Sequence, residues 1–276
     1  MAKNQLRILA DNLHDTAVLT ATSEALPIAN TQRSERPMVW RSADLQTQVI
    51  EATLPTGGWV DCIALARHNL GGAGVLKIEF FNAGTQVGET ITAPTALLIP
   101  AGLWRAGIDG WGASYNDEMP AGSPLGIHWL DTPVVIDSYR ITLEGGGPDS
   151  YIEIGRIFVG LSFSPAVNFN WGLQVQWQEN AEHIPTEGGS LRTVGGGDLR
   201  RSFALQLDWL NDADRVQLVT QLVRVGLGAD LLVALYPKGN DLLQLEHTMV
   251  CRRESSFSHT HNHFQNWQAS LQFIEV

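Results

Sequence analysis

The chain has 276 residues, 44% of them hydrophobic and 17% charged, with a formal net charge of −11. That is enough apolar surface for a real core, so a disordered chain is excluded. The negative balance repels phosphate backbones and argues against sequence-reading nucleic-acid binding. No run reaches the ~18 apolar residues of a membrane span. The opening MAKNQLRILADNLHD lacks the basic start and apolar run of a signal peptide, so synthesis in a cytoplasm and no membrane insertion are expected.

Up to about Ser162 the sequence offers short apolar bursts between turn clusters: TGGWVDCIALARHNLGG, VLKIEFFNAG and SYRITLEGGGPDSYIEIGRIFVG. Tyr139, Ile141 and Leu143 alternate with Arg140 and Thr142, the period of two that a half-buried strand requires. Ile152, Ile154 and Ile157 continue in strand fashion, with Gly155 expected to mark a bulge. No amphipathic helix is evident, and short strands between turns predict a β-sandwich. Between Pro100 and Pro133 the rhythm breaks, and a connection this long is usually an interface or functional loop.

After Phe163–Asn170 the pattern becomes regular. Trp171, Leu173, Val175 and Trp177 alternate with polar residues, as do Phe203, Leu205, Leu207 and Trp209, and Trp267, Ala269, Leu271 and Phe273. Each reads as a strand of an antiparallel sheet with one apolar and one polar face. Asn211 is a good N-cap for a helix over 212–224, followed by the first-turn acids Asp212 and Asp214. Val216, Val219, Leu222 and Val223 form its expected apolar face, and Gly226 and Gly228 end it. Strands over LLVALYP (231–237) and from Leu243 to Cys251 follow. The expected division is 1–162 for the sandwich and 163–276 for an antiparallel domain with one packed helix.

Two resemblances bear on function. Thr20–Asn30 with Arg36, Trp40, Arg41 and Ser42, then WVDCIALARHNL (59–70) and YRITLEGGGPDSYIEIGRIFVG (139–160), resemble the discoidin or galactose-binding-like jelly-roll family. This implies a jelly roll and, since many members are structural, not sugar binding as such. Arg200–Pro237 and the closing WQASLQFIEV (267–276) resemble the tube-forming or distal-tail domains of long-tailed phages. The implied fold is a tail-tube-like antiparallel sandwich or split barrel with one helix. The implied assembly is a sixfold baseplate ring at the virion tail tip, touching tube, hub and fibre proteins, with DNA passing transiently through its lumen. A carbohydrate-binding adhesin is the alternative.

Gln174, Gln176, Gln178, Gln206, Gln268 and Gln272, joined by Asp208 and Glu246, occupy the polar strand positions, and Gln174, Gln176 and Gln206 are the candidates for facing a lumen. No lysine or arginine is expected on that face, which would let DNA slide; a plain solvated sheet surface fits equally well. Trp104, Trp111 and Tyr115, near Asp109, Asp117 and Glu118, are candidates for glycan contact because sugars stack on rings while carboxylates accept their hydroxyls. Burial against a partner protein explains the same rings.

His259, His261 and His263 would share one face of a strand, about 7 Å between neighbours and about 13 Å between the outer two. Zinc needs nitrogens at about 2 Å, so three cannot ligate one ion on a straight strand, and no metal is expected. The Gly145–Gly147 and Gly195–Gly197 runs read as turns rather than phosphate loops, His68 as a structural histidine, and Cys62 and Cys251 as free buried thiols. No nucleophile elbow is found, so neither enzyme activity nor a cofactor is expected.

Overall fold

The computed structural model describes residues 5–70, 74–94, 125–145, 149–238, 244 and 246–276. In chain order the first strands are β1 (Arg7–Leu9), β2 (Val18–Ala21), β3 (Trp40–Arg41), β4 (Gln48–His68), β5 (Val75–Asn82), β6 (Thr85–Pro94), β7 (Leu125–Glu144) and β8 (Glu153–Gly160). Then come β9 (Gln174–Pro185), β10 (Leu191–Leu210), the helix α1 (Asp212–Val225), β11 (Leu231–Ala234), β12 (Thr248–Arg253), β13 (His259–His263) and β14 (Asn266–Glu275). The fold is mainly β.

The first sheet has the order β3-β8-β4-β7-β5-β6, with β2 added on β4. Its long strands β4 and β7 carry register shifts between Thr53 and Gly58 and between Val60 and Cys62. These bend the sheet over a core of Trp40, Ile50, Ile63, Leu65, Ile78, Phe80, Ile141 and Ile157. Along Gln48–Leu54 burial alternates, whereas from Val60 to Ala66 every residue is buried. Covering a strand on both faces has that effect, and the same unbroken burial recurs along β8 and β11.

The second cover of these strands is a third cluster of Leu9, Cys62, Ala64, Ala66, Leu125, Ile127, Phe158 and Leu232. It joins the outer side of the first sheet to β1 and β11 of the second. The second sheet runs β1-β11-β12-β14-β10-β9, with β13 on β14. Because β1 pairs with β11, and Leu6 and Ile8 lie in the second core, the expected boundary at residue 162 is crossed by the N-terminal strand. No bulge falls at Gly155, since Ala66↔Arg156 and His68↔Ile154 share one register. The glycine is required because a Cβ there would lie 2.8 Å from that of Arg67.

The helix is capped as expected, Asn211 Oδ1 accepting from the Asp214 N–H at 2.8 Å and Gly226 closing it at φ +79°. Its buried face differs from the expected one. Leu218 and Leu222 enter the core with Phe203, Leu205, Leu271 and Phe273, while Val216 and Val223 are 51% and 53% exposed. The expected strand from Leu243 begins only at Thr248, with Gln244 and Glu246 helical and Leu243 and Leu245 outside the described residues.

The helix assignment predicts that Leu222→Ala costs about 2–5 kcal/mol in urea unfolding, whereas Val223→Ala changes stability by less than about 0.5 kcal/mol. Equal losses would show that the helix packs on another face.

Candidate functional site

The register of the second sheet decides which polar side chains share a surface. Ala204 lies opposite both Gln174 and Gln272, Ser202 opposite Gln176, Gln206 opposite Ser270, and Arg200 opposite Gln178. Directly opposed residues point the same way, so Gln174, Gln176, Gln178, Gln206, Gln268 and Gln272 are brought onto one outer face. Over β1, β11 and β12 that side is covered by the first sheet; over β14, β10 and β9 it is bare. The expectation of a face without cations is corrected by Arg200, which is exposed at an outward position. Glu246 is helical, before β12, and not in these strands.

Two tryptophans depart from the expected apolar stripe. Between Leu207↔Ala269 and Leu210↔Trp267, two residues of β10 face the single residue Gln268, a β-bulge. The extra residue lets Leu210 take the buried position and turns Trp209 outward, 57% exposed. Trp171 precedes β9 and projects fully into solvent at 103% relative exposure. Asn170 fixes that corner: its N–H donates to Gln206 O at 2.9 Å and its side-chain amide donates to Asp208. The alternation in the sequence could not reveal Trp209, because a bulge shifts the phase without a composition signal.

Beyond the sheet, β9 and β10 continue as a two-stranded arm, pairing from Leu199↔Glu179 to Leu191↔Pro185. Residues 179–196 are exposed on both faces, including Ile184 at 44%, Leu191 at 67% and Val194 at 47%. The turn signal TEGGS between HIP and LRTV marks this hairpin in the sequence, although the arm was not among the expected elements.

Trp104, Trp111, Tyr115, Asp109, Asp117 and Glu118 lie outside the described residues. The strand ends that flank that stretch, Pro94 and Leu125, open on the same rim of the sandwich as Asn69, Asp149 and Tyr151. There Arg41 pairs with Glu153 at 2.7 Å and lies 4.3 Å from the centroid of the Tyr151 ring, and the Asn69 amide donates to Asp149 at 3.2 Å.

The three histidines of β13 do share a strand, but a register shift separates His261 from His263. The His259 and His261 rings lie 5.1 and 4.4 Å from that of Trp267. Arg215 covers the same ring at 4.5 Å, and the Trp267 Nε1–H donates to Asp212 Oδ1 at 2.7 Å. The hairpin is thereby tied to the start of α1. Among the described residues no group of three or more metal-type side chains converges.

Both thiols of the chain are buried. Cys62 and Cys251 are free, and burial pushes both thiols well above their ordinary range, so neither is a ready nucleophile. His14 is fully enclosed: Thr31 donates its hydroxyl to Ile28 O and so accepts from His14 Nε2–H at 2.8 Å, leaving Nδ1 to accept from Tyr139 OH at 2.5 Å. Burial, with Arg156 nearby, pulls His14 down to about 3, and burial pulls His68 and His128 to about 4. His68 accepts from the Leu70 N–H at 3.2 Å, the structural role expected of it.

No family profile matches the sequence, and no curated protein matches it. Solved structures similar to it include the family 32 carbohydrate-binding module of C. perfringens NanJ in complex with galactose (16% identity, TM-score 0.38, 56% of this chain and 98% of the module). A chitosan-binding module from a Paenibacillus chitosanase/glucanase is similar at 14% identity, TM-score 0.38, over 54% of this chain and 98% of the module. A further C. perfringens module, CBM32-5 of CpGH89, in complex with GalNAc-β-1,3-galactose, matches at 11% identity, TM-score 0.37, over 55% of this chain and all of the module. Identity this low and superposition this partial say nothing of what the chain binds.

The buried histidines generate a pH dependence. Their folded-state values lie below the ordinary 6.5, so below that pH the unfolded chain takes up protons that the folded chain refuses. The neutral rings leave stability undiminished above pH 6.5, and it is lost as pH falls towards 4, by about 1.4 kcal/mol per unit per histidine. Thermal melts should show this slope, and His14→Asn should reduce it by about a third. A melting temperature independent of pH over that window would contradict the burial.

Proposed function

We propose that the chain is a non-enzymatic structural subunit that assembles into a closed ring with copies of itself, the ring of a tailed-phage tail tip. The observation that carries this reading is the β9–β10 arm. An isolated two-stranded hairpin is at best marginally stable in water, yet this one extends well past its sheet with Ile184, Leu191 and Val194 uncovered. Such a device makes physical sense when a second surface receives it.

The edge beside it points the same way. β9 runs twelve residues; Glu179, Glu182, the register shift beside them and the terminal Pro185 guard its outer part, and Gln174–Gln178 remains as open edge. At the opposite edge β1 is covered, Ile8 bridging to Phe163. One open edge by itself pairs only with the same edge of a copy, a two-fold contact; a ring requires the arm to dock on a different surface of the neighbour, and such heterologous contacts close when the rotation permits. The strand–helix–strand order of β10, α1 and β11 is the order on which the phage-tail resemblance rests, and six copies is the number it implies. Neighbouring tube, hub and fibre proteins, and assembly in the host cytoplasm, belong to the same proposal. Arg200 on the glutamine face weighs against assigning that face to a DNA-lined lumen.

The second reading, contact with surface carbohydrate, is favoured by one observation, the exposed Trp209 among side-chain amides.

Analytical ultracentrifugation tests the assembly. The full chain should sediment as a concentration-dependent oligomer, and replacing 181–195 by a short glycine turn should leave a monomer that melts within a few degrees of the parent. A full chain that remains monomeric at high concentration would overturn the reading.

A further inference from the structure

We propose that the bulge corner of the second sheet, Trp209 with Gln206, Gln268 and Asn262, is a binding site for a neutral oligosaccharide. The site lies on the second sheet, away from the sandwich rim, and does not rest on the ring assembly.

The first reason is the indole itself. Regular strand pairing would have buried residue 209, and the bulge instead gives that place to Leu210 and aims Trp209 outward. Bulges commonly re-aim a side chain in this way at functional places. Among the described residues no ring or guanidinium stacks on Trp209, so its face is free. Trp171, fully exposed beside Asn170 at the same corner, offers a second ring for a neighbouring sugar unit.

The second reason is what surrounds the indole. Gln206, Gln268, Ser270, Gln272 and Asn262 are amides and a hydroxyl, groups that both donate and accept as sugar hydroxyls do. The Asn262 Nδ2–H donates to Gln268 Oε1 at 2.6 Å, which fixes both amides and leaves the Gln268 NH2 and the Asn262 oxygen for a ligand. Asp208 is pinned from two sides, its carboxylate by the Asn170 amide and its backbone carbonyl by the Asn266 amide at 3.0 Å. The bulge is therefore held in place before any ligand arrives, and preorganisation lowers the cost of binding.

The third reason is charge. Among the described residues of the corner Asp208 carries the formal charge; Arg200 lies eight residues back along β10, opposite Gln178. Nucleic acid would find no cationic grip, and an anionic glycan would meet Asp208. An apolar ring framed by uncharged amides suits the C–H face and hydroxyls of a neutral sugar.

The test uses the full chain in native gels containing a neutral galactan, glucan or mannan, followed by titration with the matching oligosaccharide while tryptophan fluorescence is read. The expected result is retardation by at least one of these and a saturable fluorescence change. Trp209→Ala should weaken binding at least tenfold with an unchanged melting temperature, and Gln206→Ala should weaken it several-fold. Trp59→Ala, at a tryptophan 56% exposed on the first sheet, should leave binding intact. No retardation by any of the three polymers would overturn the proposal, as would binding that survives Trp209→Ala or is lost with Trp59→Ala. Displacement of the sugar by double-stranded DNA would overturn it in favour of a channel lining.

Discussion

The structure depends on one shared apolar layer, where the outer side of the first sheet meets part of the outer side of the second. Cys62, Ala64, Ala66 and Phe158 press against Leu9 and Leu232, with Leu125 and Ile127 completing the layer. Small side chains on β4 let the two sheets approach closely, and Phe158 supplies most of the buried ring surface. Charged residues frame it: Arg7 pairs with Asp61 at 3.2 Å, Arg252 with Asp230 at 2.9 Å, and Arg156 with Asp15 at 2.7 Å. Arg156 and Asp230 are almost wholly buried while their partners Asp15 and Arg252 are partly exposed, so removing a partner leaves a buried charge less well paired. The layer therefore fixes orientation as well as contact.

What that layer uses determines what remains. It covers the outer side of β1, β11 and β12, and α1 packs on the inner side, so among the described residues the outer side of β14, β10 and β9 stays bare, as do both faces of the arm. On that bare half the bulge presents Trp209 among amides, and beyond it the paired strands run on as an arm. Covered and free surface thus alternate along one sheet, and the two functional readings attach to different parts of it: edge and arm to assembly, corner to ligand.

Much of this was legible in the sequence, and the failures have physical causes. Alternation located β10 and β14, and Asn211 with Gly226 bounded the helix almost to the residue. The unbroken apolar run from Cys62 to Ala66 signals cover on both faces, but sequence alone does not say what provides the second cover. The pairing of β1 with β11 was hidden because a three-residue strand has too little pattern to show its partner. Trp209 was assigned to the core because one inserted residue shifts a period of two, and the helix face was misread because Val216 and Val223 share the spacing of the core positions without reaching the core. Nothing in the sequence marks Arg200 as a member of the glutamine face, because only cross-strand pairing shows which β10 residues join it.

Amide hydrogen exchange over residues 179–196, followed as a function of protein concentration, tests the central claim most directly. A lone hairpin arm exposed on both faces opens readily and exchanges fast, whereas an arm received by a neighbouring subunit is protected. Assembly through the arm predicts slow exchange in this segment at high concentration, giving way to fast exchange on dilution while Phe203–Leu207 stay protected throughout. Fast exchange of the arm at every concentration would contradict the account.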